Sequence, residues 1–352
     1  MQVDKVLLAS PRGFCAGVEK AIKALAWMVR VFEPPVYCYH EIVHNQHVVE
    51  QFRARGVVFV DDVQEVPAGA PLMLSAHGSA PVVVEEARRH GRVVVDAVCP
   101  LVTKVHHELK VRARKGFTVL YVGHEGHEEA VGTMAVAPEA VHLVQSEAEV
   151  DAVAGSLEAG TPVALLAQTT LSHDEWSGIM SRARVVFPQL WMPNRSDLCF
   201  ATTNRQAALK AIAGRSEAVV VIGSENSSNT RALERVAASL CPRVVRVNDA
   251  AELPDDLGGT VGVTAGASAP EELVARVIAR LAPLHGVEEV HVTEEEEYFP
   301  PPPELRDLLR GLAAALSLGL GAPASADSGT DTEPGAGDRF VSAAQVLAGL
   351  TA

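Results

Sequence analysis

Short runs of consecutive apolar residues recur along this chain. Each is followed by a loop of Gly, Ser, Thr or His and then by a segment of helical spacing. The run 6–10 passes through Pro11-Arg12-Gly13-Phe14-Cys15-Ala16-Gly17 into a predicted helix over 18–31. The same succession is read at 71–74 before Ser75-Ala76-His77-Gly78, at 92–95 before Asp96-Ala97-Val98-Cys99-Pro100, and at 118–122 before Gly123-His124-Glu125-Gly126-His127. It returns at 163–167 before Gln168-Thr169-Thr170-Leu171-Ser172, at 218–222 before the loop from Gly223 to Asn229, and at 260–263 before the loop from Thr264 to Pro270. Strands that are apolar without alternation are buried on both faces, and their alternation with helices predicts an α/β fold of mostly parallel sheets. Ligands in such folds collect beyond the carboxyl ends of the strands, where all of these loops fall.

Three junctions carry more than the pattern. Phe14-Cys15-Ala16, Val98-Cys99-Pro100 and Leu198-Cys199-Phe200 each set a cysteine just before a predicted helix, over 18–31, 101–114 and 203–213. The cysteines are 84 and 100 residues apart, about one α/β domain each, which suggests three similar modules arranged around a common centre. After Glu294 the character changes: four glutamates and a Pro run end the packed body, 305–318 reads as a short helix, 322–337 as disordered, and 340–350 as weakly helical. No catalytic role is expected of this tail.

The 352 residues are enough for roughly two to three domains. With 44 acidic against 30 basic residues the chain carries a formal charge of −14, which argues against nucleic-acid or anionic-membrane binding. A phosphate-bearing ligand must then be held by local donors. No uncharged apolar run reaches the roughly 18–20 residues that span a bilayer, and the N-terminus lacks a signal-peptide pattern. A cytoplasmic protein with neither nucleic acid nor membrane as partner is the expectation. Five widely spread cysteines are not a disulfide framework, so ligation or catalysis is the better role for any special one.

A thiolate at a helix N-terminus is favoured by the dipole and by free backbone N–H groups, which suits a metal ligand or nucleophile. One cysteine in such a turn is equally explained by its small size; three in the same context are not. Cys38, in an apolar strand, and Cys241, before Pro242, read as structural. Three separated ligands suit zinc, or a [4Fe–4S] cluster with one iron left open. His44, His77, His124 and His127 follow strand ends beside polar or glycine residues and serve equally as anion donors or zinc ligands. The loops Gly223–Arg231 and Ala265–Glu271 offer hydroxyls, amides and a helix start, a phosphate cradle without lysine. Neither is a Walker A or G-x-G-x-x-G motif, which disfavours ATP and dinucleotides. Glu129, two residues after His127, is the acid/base candidate.

Taken together, 11–18 (PRGFCAGV), 40–45, 75–78, 99–106 (CPLVTKVH), 123–133, 168–172, 199–206 (CFATTNRQ), 224–229 and 264–270 resemble, in order, the 4-hydroxy-3-methylbut-2-enyl diphosphate reductases, the LytB family. The resemblance runs from about residue 3 to 300. It implies three α/β domains in a pseudo-threefold trefoil around a central metal cluster: 1–16 as a strand joining the third domain, 17–99, 100–195 and 196–290, with 291–352 a C-terminal extension largely disordered after about 320. It implies that Cys15, Cys99 and Cys199 hold the [4Fe–4S] cluster. By matching position, His44, His77, His127, Ser227, Ser228, Asn229 and Ser268 would bind the diphosphate. Thr169 and Glu129 would sit at the substrate hydroxyl, with Glu129 supplying protons.

The implied reaction is the reductive dehydroxylation of (E)-4-hydroxy-3-methylbut-2-enyl diphosphate to isopentenyl and dimethylallyl diphosphates, the last step of the methylerythritol phosphate route to isoprenoids. Its partners would be the allylic diphosphate and an external one-electron donor of ferredoxin or flavodoxin type. Such a donor is itself acidic and needs a local basic patch on this acidic chain. The sequence departs from the family's pattern at Val98 (often Thr), Glu128 (often Pro) and Phe200 (often Tyr), and Glu128 bears on the acidity of Glu129. Two readings of other classes stand beside it: a zinc-dependent hydrolase of a phosphorylated small molecule using the same cysteines and histidines, and a redox-sensing module. A sensor needs no substrate cradle, which weighs against the last.

Overall fold

The structure is a computed structural model that describes residues 2–91, 93–319 and 336–350. Along the chain come β1 (Gln2–Ser10), α1 (Ala16–Val31), β2 (Val36–Tyr39), α2 (Gln46–Arg53), β3 (Val57–Val60), β4 (Pro71–Leu74), α3 (Pro81–His90) and β5 (Val93–Asp96). There follow α4 (Pro100–Arg114), β6 (Thr118–Val122), α5 (Glu128–Met134), β7 (Val141–Val144), α6 (Glu147–Ser156), β8 (Val163–Ala167) and α7 (His173–Val186). The last part holds α8 (Phe200–Ala213), β9 (Ala218–Ile222), α9 (Ser228–Ala238), β10 (Val244–Val247), β11 (Gly258–Ala265), α10 (Glu271–Leu281), β12 (Val287–His291), α11 (Pro303–Gly319) and α12 (Ala343–Leu350).

The strands form three sheets, ordered β3-β2-β4-β5, β7-β6-β8 and β10-β9-β11-β1-β12, with every pairing parallel. The expected α/β class with parallel sheets is what is found. Every residue of β8 (VALLA) and β9 (AVVVI) is buried, as befits central strands covered by helices on both faces. β1 lies between β11 and β12, pairing Val6 with Val261 on one side and with Val287 on the other. The first strand of the chain is thus completed by its last ones.

Helix starts show why each loop turns where it does. Asn45, Ser172 and Ser227 cap α2, α7 and α9 through side chains that accept from the N–H groups of Val48, Glu175 and Thr230. At α1, α4 and α8 the N-cap residue is a cysteine instead, and none of the three makes a side-chain cap bond.

The C-terminal region departs from expectation. The packed body does not end at Glu294: Leu305 of α11 and Ala343 and Leu347 of α12 are buried in one apolar cluster with Ile22 and Leu25 of α1. Lys23 pairs with Asp338, and Glu19 accepts from the N–H of Ala343, fastening this segment to α1. The disorder expected after about residue 320 falls on 320–335, outside the described residues.

Arg205, on α8, is fully buried. Its guanidinium donates to the carbonyls of Gly13 and Phe14, to Ala201 O one turn back, and to Glu295, whose Oε1 lies 2.9 Å from Nη1. This one side chain holds the loop before α1 against α8. Arg205→Met takes these donors from the carbonyls of Gly13 and Phe14 and leaves Glu295 to the Asn204 amide, and is expected to destabilise the protein by about 2–4 kcal/mol in denaturant unfolding. Arg205→Lys should recover only part, since one ammonium cannot span the same acceptors.

Candidate functional site

Cys15, Cys99 and Cys199 stand in extended backbone at the starts of α1, α4 and α8, and all three face one central cavity where the three layers meet. The approach is close. A Cβ on Gly17 would lie 2.9 Å from Sγ of Cys99 and 3.9 Å from Sγ of Cys15, so only glycine fits between these sulfurs. Burial pushes the Cys99 thiol up to about 12, with Cys15 adding to it and the N–H groups of Leu101 and Val102 opposing. Cys199 is driven up by burial, then by Cys15 and Cys99, against the N–H groups of Thr202 and Ala201. Thiols held this way stay protonated until a cation replaces the proton, as at a metal centre. Cys38 is sealed in β2 and Cys241 is buried away from the cavity, consistent with structural roles.

Three histidines also line the cavity. The rings of His44 and His77 stack with centroids 3.9 Å apart and planes 15° apart, and His127 meets them edge-on at 5.6 and 6.3 Å. His127 caps α5: its Nδ1 accepts from the N–H of Glu129 at 3.1 Å, so its proton sits on Nε2. Burial, then His77 and His44, bring His127 down to about 3, a neutral ring that donates from one fixed atom. His44 is also lowered, by burial and His77, against the pull of Glu41.

The remaining wall is the start of α9 and the loop after β11. Ser227, Ser228 and Asn229 line the cavity there, as does Ser268. Asn229 accepts from the N–H of Ala267 through Oδ1 at 2.9 Å, which fixes its amide as a donor on the other side. Ser268 donates to the His44 carbonyl at 2.8 Å, tying the loop to the histidine stack. Among the described residues no lysine or arginine lines the cavity. Hydroxyls, an amide, imidazoles and a helix N-terminus are donors of the kind that suits an anion, with no permanent cation among them.

Glu129 lines the same cavity and is buried. Thr169 donates to it twice, from N–H to Oε1 at 2.7 Å and from Oγ1 to Oε2 at 3.0 Å, while the Thr169 carbonyl accepts from the N–H of Cys199. Burial raises the Glu129 carboxyl to about 7; the Thr169 bonds oppose this and Asp197 adds to it. The group therefore exchanges a proton near neutral pH. Glu128 does not set this acidity: its carboxylate turns to His77.

All twelve residues singled out from the sequence as site residues line this one cavity. His124 does not; it stands behind Ser228, its Nδ1 3.4 Å from Oγ, with Nε2 against Glu175. Three features were not read from the sequence. Gly17 and Thr202 lie on the wall, and Gln168, through bonds to Thr170 and Ser228, braces it. His44, His77 and Glu128 also bring ligand atoms within 4.8 Å of one another. Parallel stacked rings send their in-plane lone pairs along parallel lines, a poorer match to one cation than to a broad anion.

A family model described as LytB protein matches residues 6–282. A curated relative from Rhodopirellula baltica, named 4-hydroxy-3-methylbut-2-enyl diphosphate reductase, is 46% identical over 316 residues, covering 88% of this chain and 98% of its own. One of the same name from Bifidobacterium longum is 44% identical over 325 residues, covering 86% and 92%. Among solved structures, the E-1-hydroxy-2-methyl-but-2-enyl-4-diphosphate reductase from Plasmodium falciparum superposes with a TM-score of 0.83 at 29% identity, over 88% of this chain and 99% of that one.

The state of Glu129 has a thermodynamic signature. Its folded-state value of about 7 lies above the ordinary 4.5, so the folded protein binds this proton more tightly than the unfolded chain. The stability it lends is present below about 4.5 and is lost as pH rises through about 7, a difference of roughly 3 kcal/mol. Denaturant unfolding at pH 5 and pH 8 should show a larger loss for the wild type than for Glu129→Gln. Equal losses in the two proteins would mean that the carboxyl titrates normally.

Proposed function

The chain belongs to the LytB family of 4-hydroxy-3-methylbut-2-enyl diphosphate reductases, and from that premise we propose how its central cavity carries the reaction. The enzyme is an oxidoreductase. Its substrate is the allylic alcohol diphosphate (E)-4-hydroxy-3-methylbut-2-enyl diphosphate, and its products are isopentenyl and dimethylallyl diphosphates, the end of the methylerythritol phosphate route. The family's metal cofactor is in our reading a [4Fe–4S] cluster held by Cys15, Cys99 and Cys199. Three thiols on one cavity, two of them against Gly17 where even a Cβ would collide with Cys99, fit such a group. Bound there, the cluster supplies one-electron steps and a Lewis-acidic iron.

The chain's own residues do the rest. The diphosphate is held by His127 through Nε2–H, by His44 and His77, by Ser227, Ser228 and Asn229 at the start of α9, and by Ser268. Binding at one end of a short substrate fixes the alcohol end against the opposite wall, where Thr169 and Glu129 stand. Cleaving the allylic C–O bond with two electrons and two protons yields a new C–H bond and water. Glu129, poised near neutrality, gives a proton to the departing oxygen, and Thr169, hydrogen-bonded to it, orients that carboxyl. Apolar residues of the lining (Val18, Val43, Ala76, Val102) limit water around the five-carbon chain.

The electrons come from an external one-electron donor, for which we propose a ferredoxin or flavodoxin. We also propose that residues 17–99, 100–195 and 196–290, the last joined by 1–16, act as three domains with one cysteine each. Among the described residues no helix is long and apolar enough to cross a membrane. The observation that supports this reading above others is that three cysteines from distant segments, an anion-donor wall and a proton-poised carboxyl share one cavity. A zinc hydrolase would use no electrons, and the family is one of reductases.

Anaerobic reconstitution followed by iron and sulfide analysis and electron paramagnetic resonance tests the reading. Cluster signal and turnover should both vanish in Cys99→Ser, and stoichiometric zinc without sulfide would refute the cluster. Glu129→Gln should keep its iron and lose about 100-fold or more in kcat. The wild-type kcat should decline as pH rises through about 7, where the carboxyl loses its proton.

A further inference from the structure

The two adjacent glutamates of the loop before α5 have opposite surroundings. Glu129 turns inward to Thr169. Glu128, the first residue of α5, turns to the histidines: Oε2 lies 2.8 Å from Nδ1 of His77, and Oε1 lies 3.6 Å from Nδ1 of His40. His77 Nδ1 and Glu128 Oε2 are both shut away from solvent, and neither has another hydrogen-bonding partner. Burial alone would raise the Glu128 carboxyl, yet His77, His44 and His40 hold it down to about 2, so it is a carboxylate at any working pH.

This carboxylate answers a deficit in the anion site. No lysine or arginine lines the cavity, and burial pushes His44 and His127 toward the neutral form. His127 needs no charge to donate, because the Glu129 N–H has already placed its proton on Nε2. His77 is different. A carboxylate at Nδ1 draws a proton to that atom, and a neutral ring would then turn a bare Nε2 lone pair to its other side. Only the doubly protonated ring donates on both sides. The groups facing it are His44 stacked on it, His127 edge-on, and Glu128, with His40 behind Glu128 and Glu41 against His44.

We propose that Glu128 is a positioning residue that keeps a second proton on His77, so that this ring meets the incoming diphosphate through Nε2–H as an imidazolium. His77 is then the one cation of the site, created by a buried carboxylate on its far side. The inference rests on the reading of the cavity as a diphosphate site and adds to it the source of the positive charge.

The test is calorimetric binding of inorganic diphosphate to the cluster-loaded enzyme from pH 6 to 9, in the wild type, Glu128→Gln, Glu128→Pro, His77→Asn and the double variant His77→Asn/Glu128→Gln. Proline suits the first position of a helix, and His127 before it has extended backbone (φ −71°, ψ 135°), so Glu128→Pro removes the carboxylate without breaking α5. The probe's own titration is common to all variants. Both Glu128 variants should bind about 10-fold more weakly than wild type at pH 7.5, and the gap should narrow toward pH 6. In the His77→Asn background, Glu128→Gln should cost nothing further. Glu128 variants whose binding follows the wild-type pH profile would overturn the proposal, as would additive losses in the double variant. His77→Asn binding diphosphate like wild type would overturn it too, whereas a wild type that binds no diphosphate would sink the anion-site reading, a result distinguishable from the others.

Discussion

A thiol, an imidazole and a carboxyl withdrawn from water each lose the solvation that favours their charged forms, and this protein gathers all three kinds in one cavity. The fold answers with dipoles instead of counter-charges. Three helices begin at the thiols, a fourth begins at the serine and asparagine wall, and a fifth begins at His127 and Glu128, so backbone N–H groups point inward from several directions. Each group's state then follows from what lies next to it. Cys99 and Cys199 remain protonated, His127 is neutral with its proton fixed, and Glu129 is poised near neutrality. Such a centre costs stability in the isolated chain, and filling it with the proposed cluster and anion would relieve that cost.

The neighbouring glutamates of the α5 loop show how little sequence distance matters here. One residue apart, they face opposite sides of the helix start, one held by a threonine's two donors and the other by imidazoles. Their carboxyl groups move in opposite directions, to about 7 and about 2. A helix N-terminus can present successive side chains to different neighbours, and that is enough to make one an acid and the other a permanent anion.

Much of this was legible in the chain. Central strands announce themselves as unbroken Val, Leu and Ile because both faces are covered, and cysteines at three such junctions point to a common centre. What escaped notice has a physical reason in each case. β12 alternates half-buried and exposed residues at a sheet edge and so lacks an apolar run. Arg205 looks like any helix arginine until the loop carrying Gly13 and Phe14 folds over it. The short apolar positions of α12 read as weak because the surface they complete lies on α1, more than 300 residues earlier. Glu128 stood out only as a departure from the family's pattern; its partner came into view when β4 brought His77 alongside.

The threading of β1 between β11 and β12 sets an order of events for a chain made from its N-terminus. Residues 2–10 are made long before the strands that pair with them, since both hydrogen-bonding edges wait for strands ending at Ala265 and His291. Pairing across such sequence separation is slow, because a very large loop must close before any contact compensates for it. Cys15 follows closely on that strand, so its place beside Cys99 and Cys199 is fixed only after the segment through His291 has been made. In the proposed reading, iron and sulfide therefore have no finished cradle to enter until β11 and β12 have paired with β1, and loading follows that closure.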